Sequence, residues 1–186
     1  IAQSSSVFNS SSGLVIFDGS SPQYVDRSTS FPTNFHNLKV EGGASLFIAP
    51  RYSLTIGGSL TVSGDLTLES DENGTASLIE GSSFSGYVIV ERYLTGGIRY
   101  HFVSSPINTG YVDTLTDIYN VYYYNEQNTS TDRDIGWTKV STGTMTRGLG
   151  YAVVYDDNTT LRFEGSLNNT SDVTVNITAT NSGNSV

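Results

Sequence analysis

The chain has 186 residues and no cysteine, so it carries no disulfide framework, thiolate nucleophile or Cys-ligated zinc. Its net charge of -9 is repelled by nucleic-acid phosphates and by anionic lipid, and no run of about 18 apolar residues is present to insert into a membrane. Twelve Tyr, abundant Thr, Ser, Asn and Gly and few strong helix formers predict an almost wholly β protein.

The chain opens IAQSSSVFNSSSG, without an initiator Met or a basic start, and is expected to be a piece of something longer. A short apolar strand, LVIF, follows, with Val15 and Phe17 on one face. The same apolar pair then recurs as Leu38 and Val40 in NLKV, Leu46 and Ile48 in SLFI, Leu54 and Ile56 in SLTI, Leu60 and Val62 in SLTV, and Leu66 and Leu68 in DLTL. The steps are eight, eight, six and six residues. Residues i and i+2 share a strand face, so each pair points inward while the Thr between them points out.

Two architectures fit this pattern. A β-meander would use Gly57-Gly58 and Ser63-Gly64 as hairpin turns. A β-solenoid would turn a corner at those glycines and pair each strand with one a coil later. Val15 stands 23 residues before Leu38, and Leu38 stands 22 before Leu60. A recurrence above about 20 residues is the period of a coil of three short strands, which favours the solenoid.

The hexads end with DLTLES, and after ASLIEGSSFSG, which ends at residue 86, the character changes. YVIVERYL, RYHFVSSPI, NVYYYNEQ, IGWTKVS, YAVVYDD, TTLRFEGSL and VTVNITAT read as longer strands with irregular Gly, Asn and Asp turns. The expected organisation is a β-solenoid over residues 1–85, followed by a β-sandwich or jelly-roll module over residues 86–186.

Several stretches, taken in order, resemble a known region type: VIFDGSSPQYVDRSTSFPTNFHNLKV, then the LTI, LTV and LTL hexads, ASLIEGSSFSGYVIVERYLTGGIRYHFVSSPI, and GLGYAVVYDDNTTLRFEGSLNNTSDVTVNIT. Together they are similar to regions of Bacteroidota surface proteins exported by the type IX system. The resemblance runs from residue 13 to about residue 178. Tyr100 stands where that region type usually has Trp, and the chain ends at NSGNSV without the usual final strand or sorting domain. The resemblance implies an extracellular, multi-module parent and specifies no activity.

The residues that carry chemistry are sparse. His36 and His101 are the only histidines. His101 lies four residues from Ser105 on one expected strand, without a nucleophile-elbow motif, and reads as structural. Glu80, Glu91 and Glu164 lie beside an Arg or a Gly turn, where a salt bridge or turn accounts for them. Acidic turns at Asp71-Glu72, Asp132 and Asp134, and Asp156-Asp157 supply oxygen ligands of the kind Ca2+ prefers, but none matches a known loop pattern. No other cofactor is expected.

Tyr122 and Tyr124 share one strand face, opposite Val121 and Tyr123, and form a candidate platform for sugar rings. Seven N-x-[ST] sequons occur, each meaningful only in a eukaryotic secretory setting. Asp113-Thr114-Leu115 is similar to the Bacteroidota O-glycosylation motif, which makes Thr114 a candidate acceptor.

The expected function is therefore non-catalytic: an extracellular structural or adhesive surface module, in its sharper form a subunit of a self-assembling fibre. Its partners would be further copies or neighbouring modules. The alternative is a carbohydrate-binding module of a secreted glycan-degrading protein.

Overall fold

A computed structural model describes residues 11–26, 33–115, 121–125, 136–168 and 174. The chain is nearly all β: a solenoid of about three turns and a separate antiparallel sheet. The first coil holds β1 (Leu14–Phe17), β2 (Gln23–Val25) and β3 (Thr33–Phe35). The second holds β4 (Asn37–Val40), β5 (Ser45–Ile48) and β6 (Ser53–Ile56). The third holds β7 (Ser59–Val62) and β8 (Asp65–Leu68), then a small hairpin, β9 (Ser70–Asp71) and β10 (Gly74–Thr75), and then β11 (Ser77–Ile79). A fourth coil begins with β12 (Ser83–Gly86) and β13 (Val88–Leu94).

Three parallel sheets run along the solenoid. One is β1-β4-β7-β12, the second β3-β6-β11, and the third begins β2-β5-β8-β13. The register matches equivalent residues: Val15 with Leu38 and Leu38 with Leu60, Phe17 with Val40 and Val40 with Val62, Leu46 with Leu66. The meander is excluded, because these neighbours pair in parallel one coil apart. The hexad therefore repeats because each strand must present the same two apolar side chains to the same interior. Leu38, Leu46, Leu54, Leu60 and Leu66 are all essentially inaccessible to solvent.

The changing pitch follows from the corners. Each eight-residue step contains a four-residue turn. In the first, the Ala44 amide donates to the Glu41 carbonyl at 3.0 Å, with Gly43 at φ 88°. In the second, the Tyr52 amide donates to the Ala49 carbonyl at 3.1 Å, with Arg51 at φ 70° after Pro50. Pro in the second position and positive φ in the third is the pattern of a type II turn, which usually uses Gly third. The six-residue steps use tighter corners whose amides bond to the coil below. Gly58 donates to the His36 carbonyl at 2.6 Å, and Ser63 donates to the Val40 carbonyl at 2.8 Å. A Cβ on Gly64 would collide with the Glu41 and Ala44 carbonyl oxygens, so the backbone can pass this closely only without a side chain.

Polar side chains stitch the coils from outside. Asn37 Oδ1 accepts from the Ser59 amide at 2.9 Å and from Ser59 Oγ at 2.8 Å. Ser53 Oγ and Ser77 Oγ lie 2.7 Å apart. The outward Thr expected in each hexad holds for Thr55, Thr61 and Thr67, although Thr67 is covered and only 3% exposed. Thr67 lies between Phe47 and Ile89 in its ladder, flanked by larger side chains on both sides.

The expected boundary near residue 85 falls inside β12, which still pairs with β7. The hand-over comes in β13. Its Ile89 and Val90 pair in parallel with Thr67 and Leu68. Along its whole length it also pairs antiparallel with β18 (Thr159–Gly165), the last strand among the described residues. Between them lie β14 (His101–Val103), a 3-10 turn at Val112–Leu115, β15 (Val121–Tyr124), β16 (Trp137–Val140) and β17 (Tyr151–Val153). These four strands form the separate sheet, in the order β14-β17-β15-β16. They have three or four residues each, so among the described residues the longer strands expected of the second half are β13 and β18, with seven each. The VTVNITAT segment lies outside the described residues except for Thr174.

One apolar cluster runs through both parts. It includes the coil leucines, Leu161 and Phe163 of β18, Val112 and Leu115 of the 3-10 turn, and Val103, Val121, Tyr151 and Val153 of the separate sheet. Two polar bonds lie within it: Tyr155 donates its hydroxyl to the Leu115 carbonyl at 3.1 Å, and the Thr146 amide donates to the Tyr151 hydroxyl at 2.8 Å.

Candidate functional site

The separate sheet has one buried face and one open face. Val121 and Val153 are partners in the ladder and point to the core. One residue further on, Phe102, Ala152, Tyr122 and Lys139 form a row across all four strands on the opposite face. Ala152 is the small residue in this row, and larger side chains stand on both sides of it. A cleft of about 380 Å3 lies there, lined by Tyr100, Phe102, Tyr122, Trp137 and Ala152. Phe102 is 71% exposed and Tyr100 55%, unusual for aromatic side chains this large.

The rings lean on one another. Phe102 and Trp137 have centroids 6.2 Å apart and planes inclined by 31°. Tyr124 meets Trp137 edge-to-face at 5.3 Å, with planes at 68°. Such contacts between rings hold them in place at little cost. A Cβ on Gly136 would overlap the Tyr124 ring, so Tyr124 lies down over that glycine.

Of the two tyrosines expected to form a platform, Tyr122 lines the cleft and Tyr124 buttresses Trp137 from beside it. Tyr123 takes the other face as expected, edge-on to Tyr151 at 6.4 Å. Sequence reasoning missed Tyr100, Phe102 and Trp137. The alternation in HFV marks Phe102 as opposite in face to Val103, but only the order β14-β17-β15-β16 brings it to Tyr122 and Trp137.

The remaining candidates fall elsewhere. Thr114 lines a second, polar cleft of about 430 Å3 with Asp113, Tyr155, Thr159, Thr160, Leu161 and Arg162. Asp132 and Asp134 lie outside the described residues. Asp156 and Asp157 are exposed in the turn before β18, where the Asp157 carbonyl accepts from Thr159 Oγ1 at 3.1 Å. Among the described residues no three Asp, Glu, His or Cys side chains gather as a metal site.

His101 and Ser105 each bond a nearby backbone carbonyl. His101 Nε2 lies 2.8 Å from the Thr95 carbonyl, and buried Ser105 donates its hydroxyl to the Ile107 carbonyl at 2.8 Å. Glu69 and Glu91 stand near the β8–β13 hand-over. Burial, then the neighbouring carboxylates of Glu91 and Asp71, push Glu69 above the usual carboxylate range. Asp71 is held below its usual value, chiefly by hydrogen bonds from the Asn73 side chain and amide.

No family model, curated protein or solved structure matches the chain. Among the described residues no helix is long and apolar enough to cross a membrane.

Proposed function

We propose that the chain is a non-catalytic structural and adhesive module carried on the outside of a cell. The solenoid is the spacer and the open aromatic face of the separate sheet is the contact surface. The observation that carries this reading is the single apolar cluster that runs from the coil leucines into the separate sheet and so joins the contact face to the solenoid. The side chains that suggested catalysis have structural partners: His101 with Thr95, Ser105 with Ile107. The resemblance to type IX-exported surface proteins of Bacteroidota supports the location. Antibodies raised against the chain are expected to label intact cells of its source; labelling only after permeabilisation refutes the surface assignment.

Assembly into a fibre is the sharper form of this reading, and one observation favours it. Among the described residues nothing pairs with the outer edges of β1, β2 and β3, and β1 also exposes Leu14 and Ile16. Unpaired edges of this kind accept another strand. Electron microscopy of native material is expected to show filaments; dispersed particles refute the fibre.

A further inference from the structure

We infer that the aromatic cleft of the separate sheet is a binding site for a neutral glycan, with Phe102, Tyr122 and Trp137 as the rings on which sugar faces stack and Tyr100 at its margin. The inference rests on the adhesive reading and names the ligand of that contact face.

The lining selects the chemistry. Among the described residues that line the cleft, every large side chain is aromatic and none is charged. A pyranose offers a C–H face to stack on a ring and hydroxyls at its rim. The Tyr100 and Tyr122 hydroxyls and the Trp137 indole N–H offer matching polar tips beside apolar bodies. A lipid tail gains nothing from those tips. The net charge of -9 repels a uronic or sulfated chain, and among the described lining residues none is basic; Lys139 stands beside Tyr122 in the row but outside the lining.

The geometry selects the pose. A flat ligand sandwiched between two rings needs about 7–8 Å between their planes, twice a van der Waals contact. Phe102 and Trp137 are only 6.2 Å apart, so the sugar lies over them and not between them. The same closeness argues against a cage around a quaternary ammonium, which needs ring faces on several sides of the cation. The cleft volume of about 380 Å3 is within the range of small-ligand sites.

Trp137 is the only tryptophan in the chain, so its emission reads this cleft directly. The test is titration of the full chain with cellohexaose, xylohexaose, mannohexaose and laminarihexaose, alongside polygalacturonate, choline and a proline-rich decapeptide. The expected result is a saturable emission change with at least one neutral hexaose. Affinity should fall about tenfold or more in Phe102→Ala and Tyr122→Ala, the loss of one stacked ring. It should be unchanged in Tyr24→Ala, whose ring stacks on Phe47 at 5.1 Å on the solenoid. Phe102 is exposed enough for its variant to fold, which its far-UV spectrum checks.

Silence with all four hexaoses overturns the inference. So does saturable binding of choline, polygalacturonate or the peptide in their place, or binding that survives both ring deletions. Surface labelling of intact cells does not depend on any glycan, so the inference can fail while the adhesive reading stands.

Discussion

Leu66→Ala tests whether the coils and the separate sheet are one cooperative unit. Leu66 is fully buried, pairs with Leu46 in the coil below, and sits in β8, the strand that meets β13. Removing its isobutyl group loses the transfer free energy of the deleted carbons and leaves a cavity that rigid neighbouring strands fill poorly. The expected cost is about 3 kcal/mol, within the range of about 2–5 for buried leucines. With a urea slope of about 2 kcal/mol/M, the midpoint falls by about 1.5 M.

Two probes read different parts: far-UV circular dichroism follows mainly the coils, and Trp137 emission follows only the separate sheet. Because β13 belongs to both and the apolar cluster is continuous, both transitions should move together. A Trp137 transition that stays in place while the dichroism transition moves would refute the single core.

Other substitutions follow from local contacts. Gly64→Ala should cost several kcal/mol or prevent folding, because its Cβ meets two backbone carbonyls, whereas Gly150→Ala, with nothing near its Cβ, should be close to neutral in thermal melts. Asn37→Ala should cost about 1–2 kcal/mol, since it strands the Ser59 amide between coils. Glu69→Gln should raise the melting temperature at pH 7. The folded state holds Glu69's proton more tightly than the unfolded chain does, so ionisation above the ordinary value of 4.5 works against folding; the advantage of Gln should vanish below that pH. An advantage that persists in acid would show that the charge is not the cause.

The solenoid was legible because its information is local and repeated. The pairs Leu38/Val40, Leu54/Ile56 and Leu60/Val62 state which face is inside, and the spacing of 22 residues from Leu38 to Leu60 states which strand each meets. A periodic sequence stacked on itself needs no other instruction. The change of step from eight to six residues could also be read, but the four-residue turns at Glu41–Ala44 and Ala49–Tyr52 that cause it were seen only in the structure. The face of Thr67 was legible but its burial was not, because that depends on Phe47 and Ile89, neighbours one coil away on either side.

The aromatic cleft was legible only in part. Tyr122 and Tyr124 are two residues apart, so period-two alternation alone puts them on one face. Their companions come from the 98–103 region and from residue 137, and nothing periodic links these segments. Only antiparallel pairing in the order β14-β17-β15-β16 places Phe102, Ala152 and Tyr122 in one row and leans Trp137 over it. Strand order is a choice among long-range pairings with similar local sequence, and the energy that decides it is burial of Val103, Val121, Tyr151 and Val153 on the other face. The sequence by itself therefore determined the solenoid and its inward residues, while the tertiary structure decided which aromatic rings meet on the separate sheet.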